Sequence, residues 1–187
     1  MRLRPPATFV GLLAPAALLF AGFLSGARAQ GADAAVRDAF FRAVGDHFTV
    51  PVQEVTIISG WGLSSDEVPV VLFLAQKAGV SPDALIGVRR GGRPWLDVAG
   101  RFGLDARAFH LPLPADGDLG TLTRAYGEFR RRPAGEWSLV RLEDLEVITL
   151  VNLRVLSEQT GATPLMVLRK WEEAGSFVAS YPLLIRR

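Results

Sequence analysis

The feature that most constrains this chain is the stretch from Val68 to Leu104, where glycine, a hydroxyl residue and proline punctuate apolar runs. Leu72, Phe73, Leu74 and Ala75 leave no polar face, so the first run predicts a buried helix. Gly79 can take the left-handed conformation that ends a helix and satisfies its last carbonyls. Ser81 offers an N-cap oxygen, and Pro82 suits the first helical position, where its missing N–H is no loss. Asp83 adds negative charge at the positive end of the new helix dipole. Arg89 and Arg90 fall near the far end of that helix, with Gly91 placed to close it. Pro94 is placed to open a third helix, with Trp95, Val98 and Phe102 on one inward face.

A weaker copy runs from Val151 to Phe177. A shift of 82 residues carries Leu74 onto Leu156, Gly79 onto Gly161, Ser81-Pro82 onto Thr163-Pro164 and Trp95 onto Phe177. Convergence of tight turns and internal duplication both produce such a match. Either way the expectation is an all-α fold with two similar corners, with helix ends at Gly79, Ser81, Pro82, Gly161, Thr163 and Pro164. Duplicated halves would cover residues 49–110 and 140–187, joined by a connector over 111–138.

Residues 1–29 read as a signal peptide: Arg2 and Arg4, then the apolar run Val10–Leu24, then the small-x-small motif Ala27-Arg28-Ala29. Cleavage after Ala29 would leave Gln30–Arg187 as a single domain; an uncleaved anchor is the alternative, and the sole expected membrane attachment. The chain has 21 Lys+Arg and 19 Asp+Glu; loss of Arg2, Arg4 and Arg28 leaves 18 basic residues and a net charge of −1. That balance argues against nucleic acid as a partner. The absence of cysteine excludes disulfides and thiolate chemistry, so an apolar core must supply the stability.

Ala34 to Phe48 predicts an amphipathic helix capped by Asp33, with Val36, Phe40, Val44 and Phe48 on one stripe and His47 beside it as a structural residue. The region 50–58 is β-branched enough for a strand, yet Val50-Pro51 resembles the Ser81-Pro82 helix start, which favours a helix from Pro51 to about Ser59. Ser64 to Glu67 offers N-caps for the buried helix, and Pro69 fits its first turn. Thr121–Arg132 predicts a helix with a basic end. Leu142–Thr160 predicts the longest helix, with Leu145, Ile148, Val151, Val155 and Leu156 inward and Asn152 needing a buried hydrogen bond. Residues 177–185 fit a last helix or an extended tail.

Chemistry-bearing motifs are sparse. The two histidines, His47 and His110, are far apart; no nucleophile elbow, zinc-protease motif or phosphate loop occurs, and no cofactor is expected. Asp116-Gly-Asp118 begins like a calcium loop, but Gly127 stands where the bidentate glutamate is needed. The candidate ligand or partner surface is Trp61, Trp95, Trp137 and Trp171, with Arg130, Arg131 and Arg132.

Gly92 to Asp105 resembles the first helix and turn of the DNA-binding helix-turn-helix of resolvase-type regulators. The resemblance implies a groove-reading helix next, but Ala106–His110 is short, stopped by Pro112 and Pro114, with Arg107 as its one certain cation. The shared feature is therefore corner geometry. The chain as a whole resembles exported bacterial proteins of unassigned function. The expectation is an exported, non-enzymatic envelope or interaction module with an envelope protein as partner. The alternatives are a helix-turn-helix nucleic-acid binder and a hydrolase of envelope polymers that uses an acid pair.

Overall fold

The computed structural model describes residues 20–185, with side chains from Gly31 onward; the expected signal segment falls largely outside these residues. Every regular element among the described residues is helical: within 50–58 the helix starts at Val52, with Pro51 at its N-cap, and 177–185 is helix throughout. The α-helices are α1 (Phe20–Phe48), α2 (Val52–Ser59), α3 (Val68–Ala78), α4 (Pro82–Arg89), α5 (Trp95–Arg101), α6 (Ala106–Phe109), α7 (Thr123–Arg131), α8 (Asp144–Thr160), α9 (Pro164–Ala174) and α10 (Phe177–Ile185). Residues from Ala35 onward form one compact unit.

In α2 the β-branched residues serve a helical stripe. Val55 and Ile58, three apart, are buried, while Ile57 is exposed. Asp33 is not the expected N-cap, because α1 already runs through it.

The two corners form as the residues dictate. Gly79 ends α3 at φ 67°, Gly161 ends α8 at φ 72°, and Ser81 and Thr163 then occupy the N-cap positions of α4 and α9. The Thr163 side chain accepts the Met166 N–H, and α3 and α4 meet at 119°. After α4 the left-handed glycine is Gly92, not Gly91: Arg90 is still right-handed, so the chain reverses later than expected. Pro94 sits at the N-cap of α5, just outside its first turn.

The likeness of the corners extends into the core. At the same 82-residue shift Leu85 and Val167, Ile86 and Leu168, Trp95 and Phe177, and Val98 and Ser180 are all buried. Arg89 stacks on the Trp95 ring at 4.7 Å, and its counterpart Trp171 stacks on Phe177 at 5.2 Å. Each long helix begins with a reaching-back glutamate: the Ser64 N–H donates to Glu67 and the Glu143 N–H to Glu146.

The corners also exchange caps. Asp66, just before α3, accepts the N–H groups of Phe177 and Val178 at the start of α10. Asp144, at the start of α8, accepts the Trp95 N–H at the start of α5, at 2.6 Å. Each corner thus supplies the carboxylate that begins the other's last helix.

Helix α8 runs through the core against α3, α9 and α5. Leu145 is not inward: it is 46% exposed, and Glu146, only 3% exposed, takes the inward place. The reason is polar, since Glu146 must reach both the Glu143 N–H and the Arg124 guanidinium. Buried Asn152 donates to the Asp66 and Ile148 carbonyls, as its position requires. The connector over 111–138 is part of this core, because Leu122, Ala125, Tyr126 and Phe129 bury one face of α7. In the helix-turn-helix look-alike the second helix, α6, has four residues, and Asp105 caps it by accepting the Arg107 N–H.

Candidate functional site

Two concave places collect chemistry-bearing side chains. The first lies where the corners meet. The Ser64–Glu67 turn supplies Glu67, the end of α4 Arg89, and the start of α8 Asp144. Arg89 donates to Glu67 and to Asp144, each at 2.7 Å, and to the Arg93 carbonyl at 2.7 Å. The Trp95 indole N–H adds a bond to Glu67 at 3.0 Å. A cleft of about 540 Å³ opens over this cluster, with Trp61 and Arg90 on its walls.

Two carboxylates and a tryptophan on one cleft are what a polymer hydrolase would present, yet their chemistry is committed elsewhere. Burial alone would push the Glu67 carboxyl up, but the bonds from Arg89, Ser64 and Trp95 outweigh it and hold its pKa below the usual value. A general acid for glycoside cleavage needs the opposite shift. Both carboxylates also stand on one guanidinium, so either can act on a substrate only by giving up a bond that joins the corners. The cluster is a strut.

The second place is an aromatic groove of about 270 Å³. Helix α7 floors it with the buried rings of Tyr126 and Phe129, three residues apart, and the turn beyond it brings in half-buried Trp137, whose indole N–H donates to the Phe129 carbonyl at 3.0 Å. His110 lies among them, its ring 4.1 Å from Trp137, 4.9 Å from Phe129 and 5.7 Å from Tyr126. The Tyr126 hydroxyl donates to the Leu111 carbonyl, and Arg154 donates to the His110 carbonyl at 2.9 Å. Burial, and then Arg154, push the His110 pKa down, so the ring is neutral at neutral pH. Burial pushes the Tyr126 hydroxyl up to about 12. Pro112, Leu113 and Arg130 complete the rim.

The expected surface is therefore divided. Trp137 and Arg130 share the groove, and Trp61 borders the junction cleft. Trp95 is fully buried, and Trp171 lies flat on Phe177. Arg131 and Arg132 both bind Glu128. His47 has an acid beside it, Glu158 at 3.3 Å, but burial lowers the His47 pKa despite that partner. No sequence motif marks His110 as a groove residue; the one local sign is its place before Leu111-Pro112, where the chain leaves α6. Among the described residues no three His, Asp or Glu side chains are placed to hold a metal ion. No protein-family model, curated protein or solved structure matches the chain, so function is argued from geometry alone.

Proposed function

We propose that the chain is an exported binding module, with the His110–Trp137 groove as its face for an envelope protein. The observation that carries this reading is the groove's composition: the half-buried rings of His110 and Trp137 seated on the buried rings of Tyr126 and Phe129, with the Trp137 indole N–H turned inward, opening beside exposed Arg130. Such a surface offers apolar contact area at low side-chain entropy cost, and its rim charge selects orientation more than affinity. The strut chemistry of Glu67, Arg89 and Asp144 fits the same reading, since it fixes the scaffold. Export rests on the sequence of residues 1–29.

The test is a photo-crosslinking amino acid at Leu113 in exporting cells. The expected result is one dominant adduct with an envelope protein, lost when Trp137→Ala is added and absent when the probe sits at exposed Gln159. Adducts that ignore Trp137, or that form in the cytoplasmic fraction, would refute the proposal.

A further inference from the structure

A third concavity, apart from the aromatic groove, lies between α5 and the chain entering α8. Arg93 before α5, Arg101 at its end and Arg141 before α8 line one open cleft of about 350 Å³, with Ser138 on its edge. All three arginines are exposed, and none forms an ion pair among the described residues. Two carboxylates also border the cleft. Asp105 is taken by Arg107 and by its cap of α6, which leaves Asp97 against three guanidinium groups.

Three cations from separate segments repel one another, and they need something to gather them. Here the backbone does so. Arg89 of the strut donates to the Arg93 carbonyl at 2.7 Å, and Arg124, bound to Glu146, donates to the Arg141 carbonyl at 3.0 Å. The backbone at two of the three arginines is thus pinned by ion-pair networks, while their own guanidinium groups stay available. Guanidinium is the side chain whose planar fork matches phosphate oxygens in pairs. The cleft's volume falls at the small end of ligand sites, of the order of 300 Å³, which suits a single phosphorylated group rather than a polymer.

We propose that this cleft binds a phosphate monoester dianion through Arg93, Arg101 and Arg141. The dianion can belong to a soluble phosphate ester or to a lipid headgroup. The experiment titrates the exported protein, purified after cleavage as Gln30–Arg187, with glycerol phosphate by calorimetry, and with phosphatidylcholine vesicles containing or lacking phosphatidic acid by flotation. The expected result is saturable binding to one of these, weakened about tenfold or more by Arg93→Gln with Arg141→Gln, as loss of charge-assisted bonds requires. Arg169→Gln on α9, whose side chain is also exposed, should leave binding unchanged. Glycerol phosphate binding identifies the soluble source, and binding only to phosphatidic acid vesicles identifies the headgroup. No binding to either, or binding indifferent to the two substitutions in variants of unchanged circular dichroism, overturns the proposal. So does arginine-dependent binding of duplex DNA tighter than that of glycerol phosphate, which would make the cleft a polymer site.

Discussion

Replacing Arg89 by methionine tests the strut most directly. Methionine keeps the apolar stem that packs beneath the guanidinium and removes only the charge and its donors. Besides the exposed bond to the Arg93 carbonyl, which water replaces, three interactions are lost. The bond to Glu67 joins side chains only 19% and 14% exposed, so its loss costs about 2 kcal/mol, much of it from leaving a half-buried carboxylate short of a donor. The bond to Asp144, 36% exposed, is screened and contributes about 0.5 kcal/mol. The contact with the Trp95 ring contributes about 0.5 kcal/mol more. The expected destabilisation near pH 7 is about 3 kcal/mol, or roughly 6–12 °C in midpoint for a domain of this size. Acid should shrink it. The folded pKa of Glu67 lies below its ordinary value, so its contribution is present above that ordinary value and is lost as pH falls through the folded pKa. Urea unfolding followed by circular dichroism, near pH 7 and at successively lower pH, should show the gap between wild type and variant narrowing as Glu67 takes up its proton. A gap below about 1 kcal/mol near pH 7, or one that does not change with pH, would refute the strut argument.

Three further outcomes follow. Valine at Gly79 or at Gly161 should cost about 1 kcal/mol or more in urea unfolding, through backbone strain alone, because a Cβ at either position meets nothing within 4 Å. Asp66→Asn should raise the urea midpoint near pH 7 while keeping an acceptor for the Phe177 N–H. Burial raises the folded pKa of Asp66, so this carboxyl favours folding below its ordinary pKa and loses that contribution as pH rises; the advantage of Asn should vanish in acid. Mass spectrometry of the exported protein should find Gln30 at its N-terminus, and Met1 retained in a membrane fraction would contradict cleavage.

The corners were legible in the sequence because their causes are local. A left-handed glycine, a hydroxyl cap and a proline act within four residues, so Gly79 to Pro82 and Gly161 to Pro164 could be placed by chemistry alone. Trp95 and Phe177 could be matched by counting. What stayed hidden acts across distance. Asp66 reads as a cap for its own helix, and only the fold shows it capping one 111 residues away. Leu145 fits an apolar stripe, and periodicity has no means to see that Glu146 is drawn inward by Arg124 from α7. The aromatic groove draws on α7, the turn after it and the chain leaving α6, so no single window of sequence contains it. The arginine cleft escaped for the same reason, since Arg141 stands 40 residues beyond Arg101.

The crossed caps bear on how the molecule comes together in time. While the chain is being made, α5 has its sequence long before it has its carboxylate, because Asp144 follows Trp95 by 49 residues. The turn carrying Asp66 in turn finds its amide partners only when Phe177 and Val178 arrive, close to the C-terminus. Neither corner can close by itself, and the contacts that close both span long stretches of chain, which slows folding and makes it collective. A truncation that removes α10 should therefore loosen the turn that starts α3, which amide hydrogen exchange would show, and the order of synthesis should leave few stable halfway states.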